Sequence, residues 1–146
     1  MNDRVEITVN DHVAEVMLNR PDKFNALDID MFLALDRAAR TVAEDSSVRA
    51  VVMHGAGGNF CAGIDISALQ GGGEQVARTL LAPVDNSPAN LAQRAAYAWR
   101  ELEVPVICAL QGVTFGGGLQ IAMGADLRYA AANTRLSVME SKWGLI

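Results

Sequence analysis

Val106-Ile107-Cys108-Ala109-Leu110-Gln111-Gly112-Val113-Thr114-Phe115-Gly116-Gly117-Gly118 is an apolar run, a glycine turn and the start of a second apolar segment that ends at Gly124. The run opened by Val104-Pro105 reads as a buried strand over Val106 to Leu110, and Gly117 to Gly124 reads as an apolar helix. Three consecutive glycines remove every side chain from the helix entrance. The free N–H groups there, with the helix dipole behind them, suit a developing negative charge. The same turn would also serve close helix packing, and both readings stand at this point.

Downstream, Leu127 to Ala130 and a segment near Leu136 to Val138 read as short strands. Upstream lies a helix-prone stretch from Asn90 to Leu102, and before it Gly71 to Gly73 reads as a flexible break. Val48 to His54 is a further buried strand, ending in Gly55-Ala56-Gly57-Gly58. Asp28 is an N-cap for a helix carrying Met31, Phe32, Leu35, Ala38, Ala39 and Val42 at helical spacing. The chain opens with a hairpin pattern, Val5 to Val9 and Val13 to Leu18 about the turn Asn10-Asp11. Strands alternating with helices make an α/β pattern. A ββα unit recurs at irregular spacing, but a doubly wound sheet fits the pattern equally well. No GxGxxG follows the first strand to favour a dinucleotide fold.

With 146 residues, 51% of them hydrophobic, the sequence reads as one domain, 1–146, able to hide roughly two-thirds of its unfolded surface. Twelve basic against seventeen acidic residues leave a formal charge of −5, which argues against general nucleic-acid binding. No apolar run approaches the roughly 18 residues of a membrane span. Met1-Asn2-Asp3-Arg4 lacks the apolar stretch of a secretory signal, so a cytoplasmic location is expected. Cys61 and Cys108 read as buried thiols rather than a disulfide framework or zinc site. Ser141 to Ile146 shows no cap, polar tail or closing helix, which reads as a truncation.

A second glycine-containing turn, Asn59-Phe60-Cys61-Ala62-Gly63-Ile64-Asp65-Ile66, also follows a buried strand and sets small residues before a helix-prone segment. Locally it reads as a strand-to-helix loop with Asp65 as cap. Together the two turns could each present one backbone N–H to the same oxygen, the layout of an oxyanion hole.

With Asn19-Arg20-Pro21-Asp22-Lys23-Phe24-Asn25-Ala26-Leu27, Phe60 to Asp65, Pro105 to Ala109 and Gly112 to Gly118 in order, essentially the whole chain resembles the enoyl-CoA hydratase/isomerase (crotonase) family. The resemblance implies a spiral of ββα units, coenzyme A as acyl carrier within the substrate, no separate cofactor, no metal, and a homotrimer or hexamer. It also implies a carboxyl-terminal helical region, which this sequence lacks. Carried over by position, the N–H groups of Ile64 and Gly117, with Gly116 beside them, would bind the thioester oxygen. Ala62, Gly63, Ile64, Asp65 and Ile66 would line the coenzyme A, with its adenine near Lys23 and Phe24.

The hydratases of the family carry two glutamates, and the first position here is Gln120. One helical turn from Gly117, Gln120 faces the anion site, but glutamine cannot take a proton at neutral pH. Glu140, twenty residues later, matches the second glutamate. Double-bond migration needs only one base, which removes a proton at one carbon and returns it at another. Gln120 with Glu140 therefore fits an isomerase-like shuttle at least as well as a hydratase. A non-catalytic acyl-CoA-binding protein of the same fold is the alternative, and a flavodoxin-like module is disfavoured by the lack of a first glycine cradle. His12 and His54 have no metal-ligand partners at suitable spacing. Asp126 reads as structural, pairing with Arg128 or capping a turn. Met17, Met31, Met53, Met123 and Met139 read as core filling, and Trp143 as either acyl-pocket lining or packing.

Overall fold

Alternation decides which way each strand faces. In a computed structural model, which describes residues 3–144 (the side chains of 68–72 and 143 apart), β1 (Val5–Asn10) and β2 (Val13–Leu18) form the expected antiparallel hairpin. β2 buries Ala14, Val16 and Leu18. β3 (Ala50–Gly55) and β4 (Val106–Leu110) follow in parallel, and the register Val16–Met53–Cys108 aligns their buried rows. β6 (Leu127–Ala130) completes the order β1-β2-β3-β4-β6.

A second, shorter layer settles the choice between a doubly wound sheet and a spiral. β5 (Val113–Phe115) pairs in parallel with β7 (Arg135–Ser137), and single parallel bridges join Cys61 to Thr114 and Leu27 to Ile64. Each turn thus lays one strand in the long sheet, one short extended piece in the second layer, and then a helix. The helices are α1 (Ile29–Glu44), α2 (Ile66–Leu80), α4 (Gly117–Gly124) and α5 (Met139–Trp143), with α3 (Leu91–Arg100) added before the third turn. This is the spiral of ββα units.

Capping follows the sequence. Asp28 accepts a hydrogen bond from Met31 N at 2.9 Å, and Asn90 and Gln93 close a reciprocal capping box at α3. α1 presses Met31, Phe32, Leu35, Ala38, Ala39 and Val42 into the core. Arg94 ties α3 to α1 by pairing with Asp36, and it also meets Glu101 at 3.1 Å.

Four expectations need correction. α2 runs through Gly71 to Gly73, and only Gly73 departs from helical geometry (φ 30°, ψ −107°), so the glycines kink a helix instead of breaking the chain. The last described segment is a helix, α5, closed by Gly144 in the left-handed conformation, where no closing helix was expected. Met123 is 61% exposed and fills no core, while Met31 and Met53 are fully buried. Asp126 does not pair its carboxylate with Arg128: it accepts from Val106 N at 2.8 Å, and Arg128 donates to backbone carbonyls instead. Among the described residues no helix is long and apolar enough to cross a membrane.

Candidate functional site

Asn25 assembles the loops that surround the site. Its side chain is fully buried. Its Oδ1 accepts from Arg20 N at 2.8 Å, and its Nδ2 donates to the carbonyls of Ala56, Asn59 and Phe60 at 2.8–3.2 Å. Phe24 and Asn25 both take positive φ (50° and 56°), which turns the Asn25 amide inward and leaves Phe24 outside. Arg20 then bridges Asp65 at 2.7 Å and Asp28 at 3.5 Å. Asp65 caps α2 by accepting from Ser67 N at 3.0 Å and from the Ser67 hydroxyl. The hydrogen bond from that hydroxyl, with Arg20 adding to it against the opposing effect of burial, holds the Asp65 carboxyl down at about 2. Asp65 thus belongs to the turn by structure, with its carboxylate engaged in the fold.

The two glycine turns meet. Cys61 N donates to Val113 O and Phe115 N to Cys61 O, at 3.1 and 2.9 Å, which locks the second turn beside the first. Gly63 (φ 86°) lies so close that a Cβ placed on it would come within 2.7 Å of Phe115 O and 3.4 Å of Gly117 N. A Cβ on Gly118 would meet Cys61 O at 2.4 Å. Leu27 takes up the neighbouring backbone groups: its N–H donates to Gly63 O, and its carbonyl accepts from Asp65 N. Among the described residues, no hydrogen bond uses the N–H of Ile64 or of Gly117. These are two free donors on adjoining turns, one of them at the positive end of α4.

Glu140 reaches the same place from α5. Gln120 Nε2 donates to its Oε1 at 2.6 Å, while its Oε2 is buried without a partner. The carboxylate flanks the glycine turn, 3.4 and 3.7 Å from where a Cβ on Gly116 would stand. Gly116 itself is pinned by N–H donation to Ser137 O at 2.9 Å. Gln120 and Glu140, far apart in sequence, are thus in direct contact at the mouth of α4.

On the outer side, Ala62 N donates to Phe24 O at 2.9 Å, which lays the Lys23–Phe24 loop against the Ala62–Ile66 stretch. Phe24, Ile64 and Ile66 are exposed apolar side chains there, and Lys23 is exposed beside them. Lys23, Phe24, Ala62, Ile64 and Ile66 therefore share this outer side, while Gln120 and Glu140 meet beside Gly116.

The Enoyl-CoA hydratase/isomerase family model matches residues 13–146. This chain belongs to that family. It is 32% identical over 140 residues to the enoyl-CoA hydratase EchA19 of Mycobacterium tuberculosis, covering 92% of this chain and 48% of that protein. It is 34% identical over 134 residues to the 1,2-epoxyphenylacetyl-CoA isomerase of Escherichia coli, covering 92% and 50%. The crystal structure of an enoyl-CoA hydratase from Bacillus anthracis superposes with a TM-score of 0.86 at 26% identity, over 98% of this chain and 53% of that one. The chain spans about half the length of the curated relatives it matches. Family membership thus agrees with the spiral described above.

Other residues of this family member separate cleanly. His12 bonds Ser47 O and His54 bonds Glu15 at 2.8 Å across the open face of the long sheet. Among the described residues no three His, Cys, Asp or Glu side chains are grouped to hold a metal ion. Burial pushes the thiols of Cys61 and Cys108 up to about 12. Trp143's side chain lies outside the described residues. Sequence reasoning passed over a cleft of about 530 Å³ between α3 and α4 that opens beside Gln120. Its signal was present: Gln93, Ala96, Tyr97 and Arg100 recur at helical spacing on one face of α3.

Proposed function

We propose that this chain binds an acyl-CoA thioester and stabilises its enolate. The thioester oxygen accepts hydrogen bonds from Ile64 N–H and Gly117 N–H, and Glu140 acts as the single proton shuttle. The observation that carries this is the Glu140 carboxylate beside Gly116, with one oxygen held by Gln120 and the other buried and unpartnered. A buried acceptor without a partner is costly in a folded protein, and a substrate C–H proton delivered there would be its natural partner. Support for the donors is that they sit on adjoining turns with no internal hydrogen bond to satisfy. The Lys23–Phe24 loop and the Ala62–Ile66 stretch would line the coenzyme A.

The reaction that fits one base is double-bond migration. Glu140 Oε2 takes a proton from C2 of a 3-enoyl-CoA, the negative charge spreads to the thioester oxygen at the two N–H groups, and the same proton returns to C4. No atom is gained or lost. Gln120 orients Glu140 through its amide and stays neutral throughout.

The test is Gln120→Glu in the intact protein carrying this sequence. Two carboxylates would then face each other across the 2.6 Å now spanned by the amide hydrogen bond, so they would share a proton and one pKa would rise. Hydration of a short 2-enoyl-CoA should climb by about tenfold or more, in a narrow pH range, because a second acid–base group has been added. An unchanged hydration rate at every pH would overturn the single-base assignment.

A further inference from the structure

The cleft between α3 and α4 is walled mainly by Tyr97, Leu119, Met123 and Val138, and it opens at Gln120. Its volume of about 530 Å³ lies within the roughly 300–1,000 Å³ of small-molecule sites. Arg100, in the last turn of α3, is its single charged lining residue.

Two observations separate Arg100 from an ordinary surface cation. First, the acid beside it in sequence is directed elsewhere: Glu101 pairs with Arg94 at 3.1 Å, and Arg94 also holds Asp36 and Ser87. Among the described residues Arg100 has no hydrogen-bond or ion-pair partner. Second, it shares the cleft-lining stripe of α3 with Tyr97, at the edge of a mainly apolar wall. A guanidinium at the edge of an apolar slot favours a planar, two-oxygen anion that fills the slot with carbon and ends in charge.

We infer that the cleft receives an acyl group bearing a carboxylate at the end remote from the thioester, and that Arg100 is the residue that selects it. This rests on the thioester lying at Ile64 and Gly117.

The test uses two saturated probes of equal carbon number, glutaryl-CoA and pentanoyl-CoA, titrated calorimetrically into the intact protein. Neither has a double bond to move, so the outcome does not depend on Glu140 as base. Glutaryl-CoA should bind about tenfold tighter at low salt, with the preference shrinking as salt is added. The ratio of the two Kd values should fall to near one in Arg100→Gln and be kept in part by Arg100→Lys. Equal affinities in the unmodified protein, or a preference that survives Arg100→Gln, would overturn this inference alone. Failure of both probes to bind would overturn the acyl-CoA reading and this inference with it.

Discussion

Substituting Gly63 by Ala tests whether the two turns truly constrain one another. Two costs can be separated. Gly63 has φ 86°, and a side chain in the left-handed region costs roughly 1–2 kcal/mol. In addition the new Cβ would stand 2.7 Å from Phe115 O, and that carbonyl cannot retreat freely, because Phe115 N is bonded to Cys61 O and Gly116 N to Ser137 O. Overpacking of this kind costs about 1–3 kcal/mol, for a total of about 2–5 kcal/mol. Gly58 supplies the control. It has a similar φ of 77° but nothing within 4 Å of an added Cβ, so Gly58→Ala should carry the conformational cost alone, about 1–2 kcal/mol. Urea denaturation of the intact protein, with m-values checked for equality, measures both. Relief of the clash would also spread the Ile64 and Gly117 N–H groups, and losing one such donor costs about 10²–10³-fold in rate. Equal destabilisation by the two variants, with isomerisation unaffected in Gly63→Ala, would refute the claim that the turns are in contact and functionally coupled.

Three further outcomes follow from the same geometry. Asn25→Ala should destabilise by about 4 kcal/mol or more, since it strands four backbone groups at about 1–3 kcal/mol each; Asn25→Asp should be worse, because it points a carboxylate at three carbonyls, and urea titration ranks them. Asp65, at about 2 against its ordinary 3.8, contributes stability that is fully present above pH about 4 and lost as pH falls through about 2, so Asp65→Asn should be less stable at neutral pH and lose less between those two values. Cys61 and Cys108, with thiols near 12 and both buried, should resist a thiol reagent at pH 8 until denaturant is added, and spectrophotometric titration counts them.

Much of the fold could be read from period and punctuation. The hairpin, the Asp28 cap, the helices from Ile29, Leu91 and Gly117, and the long-sheet strands all announce themselves by alternation, helical spacing or capping residues. The second layer could not be read the same way. Val113–Phe115 is three residues long, and Leu27, Cys61 and Ile64 contribute single bridges, too short for any periodicity to register. Gly71 to Gly73 misled because glycine propensity is a local cost that helix α2 overrides. At the site, the glycine turns and the family positions of Gln120 and Glu140 were legible through spacing, while the hydrogen bond between those two side chains was not. Asn25 was visible only as a letter in a motif, since its role depends on carbonyls more than thirty residues away.

Glu140→Gln in the intact protein tests the central claim most directly. The substitution preserves shape and the possibility of a hydrogen bond with Gln120, but it removes the only proton-accepting group assigned to the site. The measurement is the rate of conversion of a 3-enoyl-CoA to its 2-enoyl isomer, with thioester affinity determined alongside. A proton-transfer group contributes about 10²–10⁴-fold, so the rate should fall by that factor while binding, carried by the backbone donors of Ile64 and Gly117, persists. Isomerisation that continues undiminished in Glu140→Gln would contradict the account.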